Sequence, residues 1–201
     1  MVKLNSDYQV FIQQTDRLMN LLSNIHSLSP QYSKLIGEII MLRLFDMLEQ
    51  IFKSIAVKLI CGACYIDGTM PTLYTRARSA VGAETQIISY GRIKPRHRVN
   101  WTQVKEIKDN LEYVFDSREK YIRKLDENSA FIEEMRWIRN RIAHNNKKSR
   151  ENYKKAVIRH YGAFVTSITP GIILLSNRNK PTLLEQYILK SRILLKEMIK
   201  G

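Results

Sequence analysis

Phe131-Ile-Glu-Glu-Met-Arg-Trp-Ile-Arg-Asn-Arg-Ile-Ala-His144 is the stretch on which the reading of the fold turns. Phe131, Met135, Ile138 and Ile142 recur at steps of four, three and four, an apolar stripe along one face of an α-helix. Turning ~100° per residue from that stripe places Arg136, Asn140 and His144 on the outward face. Trp137 falls beside them and Arg139 at the margin. The Asn145-Asn146 pair that follows suits a helix end and the cap of a next helix, over about Lys147 to Tyr161. His144 then sits at a helix terminus. Arg139 and His144 are separated by about 140° on an ideal helix, so they converge only if the helix ends near His144 or a partner surface closes the gap.

Outward from that segment the pattern stays helical. Phe11, Leu18, Leu22 and Ile25 mark a first amphipathic helix closed by Ser29-Pro30. A long second helix is predicted from about Tyr32 to Leu59, burying Leu35, Ile36, Ile39, Ile40, Leu44, Leu48, Ile51, Phe52, Ile55 and Leu59. Glycine and proline then thicken, predicting an irregular insert at about 62–100 with short helices near Thr72 to Ser79 and Ser79 to Gly91. Trp101 to Phe115 and Ser117 to Leu125 read as helix, and the helix carrying the opening stretch begins near Ser129. Thr182 to Lys200 closes the chain with Leu184, Tyr187, Ile188, Leu194 and Met198 on one side, while Ile172 to Leu175 is too short to assign. The expected fold class is therefore all-α. At 201 residues with 44% hydrophobic side chains, one domain over 1–201 is the natural expectation.

Arginine, an amide and histidine on a basic protein suit one chemistry in particular. Internal attack of a ribose 2′-hydroxyl on its phosphate needs a proton taken, a proton given, and a fixed cation for the charge on phosphorus oxygens. Histidine titrates near neutrality and serves as base or acid. Arginine stays cationic and presents a planar fork to two phosphate oxygens. Arg139 is the candidate clamp and His144 the proton carrier, and Asn140 would orient substrate or imidazole. The same arginine and histidine also satisfy the negative end of a helix macrodipole without any chemistry.

Charge bears on that choice. Lys and Arg number 33 against 19 Asp and Glu, a formal net of +14. From Arg136 to Arg159 nine cations face the single acid Glu151. Arg136, Arg141, Lys147, Lys148, Arg150 and Lys154 are the candidate RNA contacts there, with Trp137 and Tyr153 as candidate stacking rings. A second basic stretch, Arg92, Lys94, Arg96 and Arg98 around His97, either grips phosphates, with Arg92 and Arg96 as the candidates, or is a solubilising loop. His160 is a further candidate with the same helix-end alternative, while His26 and His97 have no partner visible in sequence.

Arg139-Asn-xxx-His144, at the end of an amphipathic helix preceded by a helical hairpin, resembles the HEPN superfamily of all-α domains. Glu134 to His144, Cys61 to Gly68, Gly91 to Arg96, His160 to Gly162 and Thr169 to Gly171 are similar to its RiboL-PSP-HEPN group. The resemblance implies a HEPN-like helical bundle with the insert between the second and third long helices. It further implies a metal-independent endoribonuclease leaving 2′,3′-cyclic phosphate ends, acting as a homodimer with a composite active site. Arg139 and His144 would be the catalytic pair and Asn140 the polar helper. A toxin or anti-phage effector with an antitoxin or defence-system partner protein is the implied setting. Non-catalytic RNA-binding or protein-interaction modules also occur among such domains. Asn146 stands where some HEPN toxins carry a modifiable tyrosine, which argues against control by that route.

Other classes lack their signatures. There is no P-loop, HExxH, dinucleotide-binding glycine motif or GxSxG. Cys61 and Cys64 form one CxxC without a second ligand pair, so the thiols read as structural rather than as a metal site. No cofactor is expected. The apolar tract from Leu35 to Ile66 is broken by Glu38, Arg43, Asp46, Glu49, Lys53 and Lys58, and Asp7 and Asp16 interrupt the N-terminal region. Neither a membrane span nor a signal peptide is expected, which implies a cytoplasmic protein.

Overall fold

The computed structural model describes residues 4–96, 99–178 and 180–201. His97 and Arg98 lie outside the described residues, as does the side chain of His26. The fold is all-α. Its helices are α1 (Asn5–Asn24), α2 (Pro30–Ile60), α3 (Ala80–Ser89), α4 (Val104–Leu111), α5 (Lys120–Glu127), α6 (Ser129–Ala143), α7 (Lys147–Tyr161), α8 (Pro170–Leu174) and α9 (Leu183–Lys200), with a 3-10 turn at Ile25–Ser27. Among the described residues β-pairing is confined to one antiparallel bridge between Leu73 and Phe115. No helix there is long and apolar enough to cross a membrane.

The chain divides into two compact units. One comprises Met1–Phe11, Leu48–Ile132 and Arg192–Gly201, and the other Ile12–Met47 and Glu133–Ser191.

In the first unit, the C-terminal half of α2 buries Leu48, Phe52, Ile55, Ala56 and Leu59, as its periodicity predicts. Gly62, at φ +88, ends that helix. The Gly62 N–H donates to the Leu59 carbonyl and the Ala63 N–H to the Lys58 carbonyl, the Schellman arrangement that satisfies orphan carbonyls. Tyr121 on α5 is fully buried and donates its hydroxyl to the Phe52 carbonyl at 2.8 Å. Buried Glu119 accepts from the Tyr65 hydroxyl and, at 2.6 Å, from the Thr72 N–H. Burial, with Glu119 beside it, pushes the Tyr65 phenol up.

The insert departs from expectation at Thr72 to Ser79, which is not helical. Its backbone pairs outward instead: the Tyr74 N–H donates to the Val114 carbonyl at 2.9 Å, and the Thr72 carbonyl accepts from the Asp116 N–H at 3.1 Å. Those groups are then unavailable to a helix. The second predicted short helix is present as α3, capped by the Ser79 hydroxyl on the Gly82 N–H. Cys61 and Cys64 are partly buried free thiols, and Cys64 Sγ lies 3.0 Å from Met70 Sδ.

In the second unit the buried residues include Leu18, Leu22 and Ile25 of the first amphipathic stretch, Ile40, Met41 and Leu44 of α2, Ile173 and Leu174 of α8, and Leu184, Tyr187 and Ile188 of α9. Leu35 and Ile39, expected inside, are 53% and 55% exposed. The reason is Gly37, whose bare backbone lets Leu175 approach within 3.1 Å of where a Cβ would stand. Residues two away on a helix lie about 200° round, so burying the Gly37 side turns Leu35 and Ile39 outward. Gly171 makes a second close approach. A Cβ there would stand 2.6 Å from Lys34 Cβ, and the Gly171 N–H caps α8 through Glu38 Oε1 at 2.9 Å.

Candidate active site

The candidate residues lie in the second unit, on α6, α7 and the turn between them. On α6, Ile132, Met135 and Ile138 are buried, which anchors the helix, while Phe131 and Ile142 are only partly covered. The helix stops at Ala143, with the His144 N–H donating to the Asn140 carbonyl at 2.9 Å. Asn146 caps α7, its side chain accepting from the Ser149 N–H at 2.8 Å. Buried Ser149 donates its hydroxyl to the His144 carbonyl at 2.8 Å and to the Asn146 carbonyl at 2.9 Å. The helix end predicted at His144 and the run 147–161 are therefore both present, and the imidazole is presented from a turn whose backbone is tied down.

His144 is exposed and Arg139 half-buried. Arg139 Nη1 donates to Asn140 Oδ1 at 3.1 Å, so the amide orients the arginine rather than the imidazole. Lys147, Lys148, Arg150 and Lys154 are exposed along α7, and none of them forms an ion pair among the described residues. Arg141 Nη1 donates to Asn145 Oδ1 at 2.8 Å.

Several assignments change. Arg136, expected to face outward, is 9% exposed. Its guanidinium is held by both carboxylate oxygens of Glu133, one of them at 2.8 Å from Nε, an i,i+3 pair folded along the helix surface. Burial raises the Glu133 pKa, but Arg136, with Trp137 and Lys155, more than offsets it and the net shift is downward. Trp137 donates its indole N–H to Glu133 at 2.9 Å, and Lys155 and Arg159 lie 5.4 and 5.6 Å from its ring centroid. The ring already carries cations. Tyr153, expected to stack on bases, is 5% exposed and donates its hydroxyl to the Ile168 carbonyl at 3.0 Å.

Arg92 and Arg96, in the first unit, are bound by the protein itself rather than free in a loop. Arg92 Nη2 donates to the Asp109 and Asn110 carbonyls at 2.6 and 3.0 Å, and its guanidinium lies 4.9 Å from the Tyr113 ring centroid. Arg96 donates to Asn110 Oδ1 at 2.7 Å and to the Asp109 carbonyl at 3.3 Å. The two side chains satisfy carbonyls that the end of α4 leaves without helical partners.

Sequence reasoning missed Glu134, which is buried beside the motif. Its Oε1 accepts from Tyr187 at 2.6 Å and meets His160 Nε2 at 3.0 Å, and its Oε2 pairs with Arg159 at 2.5 Å. Burial alone would raise this carboxyl. His160, Tyr187 and Arg159 outweigh it and hold the pKa at about 2. Burial and Glu134 together push the Tyr187 phenol well up. His160 is thus a tether between α7 and α6, held by a carboxylate rather than by the end of its own helix. Glu134 stands inside the motif segment, but the partners that identify it as a tether lie 25, 26 and 53 residues downstream.

Among the described residues no group of His, Cys, Asp and Glu is arranged to hold a metal ion. The arrangement presents an oriented guanidinium on a rigid helix, a solvent-facing imidazole just past its end, and exposed cations beyond. These can bind a phosphodiester and move a proton at it. No family model, curated protein or solved structure matches the chain.

Proposed function

We propose that the chain is a metal-independent endoribonuclease of the HEPN type. The observation that carries the reading is the helix end itself: Arg139 is aligned by Asn140, and His144 is released from α6 into solvent ahead of the exposed Lys147, Lys148 and Arg150. In the reaction a 2′-oxygen bonds to phosphorus, the bond from phosphorus to the 5′-oxygen breaks, and a 2′,3′-cyclic phosphate remains. The proton leaves the 2′-hydroxyl and another reaches the departing 5′-oxygen. His144 performs one of those transfers, and Arg139 holds the phosphoryl oxygens as charge develops. A homodimer that faces two such helix ends supplies the second transfer and the convergence that one ideal helix lacks. A cytoplasmic toxin or anti-phage effector, restrained by a partner protein, is the setting this chemistry fits.

The exposed cations also favour a second reading, an RNA-binding module without chemistry. The two separate when mixed cellular RNA is incubated with the protein in excess chelator and fragment ends are read. Cyclic phosphate ends from the wild type, absent with His144→Ala and at least a hundredfold scarcer with Arg139→Ala, are the expected outcome (~10²- to 10³-fold for loss of one charge-stabilising donor). Cleavage that persists in His144→Ala, or that stops on chelation, overturns the assignment. Binding with no cleavage by the wild type selects the module.

A further inference from the structure

We infer that the cleft between α7 and the segment 162–169 takes one unpaired nucleobase of the RNA next to the cleaved phosphate. The inference rests on the nuclease reading above and assigns that site its substrate class, single-stranded RNA.

The cleft measures about 160 Å³ and is lined by Arg141, Arg150, Tyr153, Phe164, Thr166 and Ile168, among others. That is comparable to the ~150 Å³ cavity that admits a benzene ring. Its wall is prearranged. Gly162, at φ +76, closes α7 and turns the chain back. The Tyr153 hydroxyl then holds the Ile168 carbonyl at 3.0 Å, and the Ile168 N–H donates to the Val165 carbonyl at 3.2 Å. Tyr153 is therefore the strut of the cleft rather than its stacking surface. Phe164 provides that surface: it remains 43% exposed, with Lys154 Nζ 5.1 Å from its ring centroid. One cation lies by this ring against two at Trp137, and a base stacked on Phe164 would bring its phosphate toward that one.

The connection to the chemistry runs through Asn145, the residue after His144. Arg141 Nη1 donates to its Oδ1 at 2.8 Å and Arg150 Nη2 to its carbonyl at 3.3 Å. Each guanidinium has five N–H donors, so both keep others for a phosphate. A strand with its base against Phe164 and its phosphate on these arginines runs past Asn145, the chain neighbour of His144. Stacking accepts every base but requires it unpaired, so the cleft selects single strands rather than a sequence.

The test uses the whole His144→Ala chain, which binds without turnover, and fluorescein-labelled decamer RNA read by anisotropy as a single strand, as a duplex, and as a strand abasic at every position. Phe164→Ala is expected to weaken the single strand by about tenfold, with Phe164→Tyr restoring the affinity and neither change affecting duplex or abasic RNA. Equal single-strand affinity with and without Phe164, or equal losses on all three probes, overturns the inference. This pattern in a wild-type protein that does not cleave leaves the cleft standing and removes the nuclease reading. Cleavage without any dependence on Phe164 does the reverse.

Discussion

Replacing Glu134 on α6 by glutamine removes the negative charge on which α7 and α9 place donors. Its side chain is 8% exposed, and its partners hold its pKa at about 2 against an ordinary 4.5. A depression of that size corresponds to on the order of 3 kcal/mol of folding stability. The Arg159 share is discounted, because that side chain is 49% exposed and its charge is screened by water. Glutamine keeps one carbonyl for Tyr187 or His160 but turns an amide toward donors. We expect a loss of about 2 kcal/mol at neutral pH, seen as a fall in Tm of roughly 4–8 °C. The pH dependence is more diagnostic. The folded pKa lies below the unfolded one, so between them the unfolded chain binds more protons and wild-type stability declines as pH falls. The gap between wild type and Glu134→Gln is therefore full above about pH 5 and narrows toward pH 2. Urea unfolding followed by circular dichroism at stepped pH measures it. A variant within about 0.5 kcal/mol of wild type at neutral pH, the ordinary range for surface changes, or a gap that stays constant down the acid ramp, refutes the reasoning.

Two further outcomes follow from where the cations lie. Arg92→Ala should lower stability by about 2 kcal/mol, because the Asn110 carbonyl loses this donor and the Asp109 carbonyl keeps only the longer bond from Arg96, yet leave cleavage per folded molecule unchanged; lost cleavage at retained stability would return Arg92 to the substrate. Single-stranded RNA affinity should fall with salt at a log–log slope near −4, about −0.7 for each phosphate met by Arg139, Arg141, Lys147, Lys148, Arg150 and Lys154. A slope beyond about −6 in a salt titration would mean that the paired arginines also engage phosphate.

The helices that carry their own signals were legible. The run 147–161 has a capping asparagine in front and a left-handed glycine behind, both local features. Leu184, Tyr187, Ile188, Leu194 and Met198 of α9 are all buried, as their spacing predicts. What periodicity cannot register is a neighbour. Arg136 looks outward on a wheel drawn from Phe131, Met135, Ile138 and Ile142, yet the tightly buried side of α6 runs through Ile132, Met135 and Ile138 and takes in Arg136 and Glu134. Tyr153 belongs to a basic helix, but its hydroxyl has a backbone acceptor fifteen residues on. Arg92 and Arg96 form a charge cluster only in sequence; in space each meets carbonyls of α4. The helix wheel also missed the Gly37 approach that turns Leu35 and Ile39 out.

The carboxylates bear on chemistry as well as on stability. A clamp works only if it is fixed where charge will develop, so its helix must not rock. Glu133 locks Arg136 and Trp137 along α6, and Glu134 ties the same turn to Arg159, His160 and Tyr187. Arg139 follows within two turns of these anchors. Nine cations crowd the region from Arg136 to Arg159, but Arg136 and Arg159 are consumed by carboxylates and Lys155 lies over Trp137. The charge left for a polyanion is concentrated after His144, on α7 and beside the cleft. Rigidity is thus placed upstream of the proposed catalytic pair and attraction downstream, which lets one short segment hold a guanidinium still while offering an imidazole to solvent.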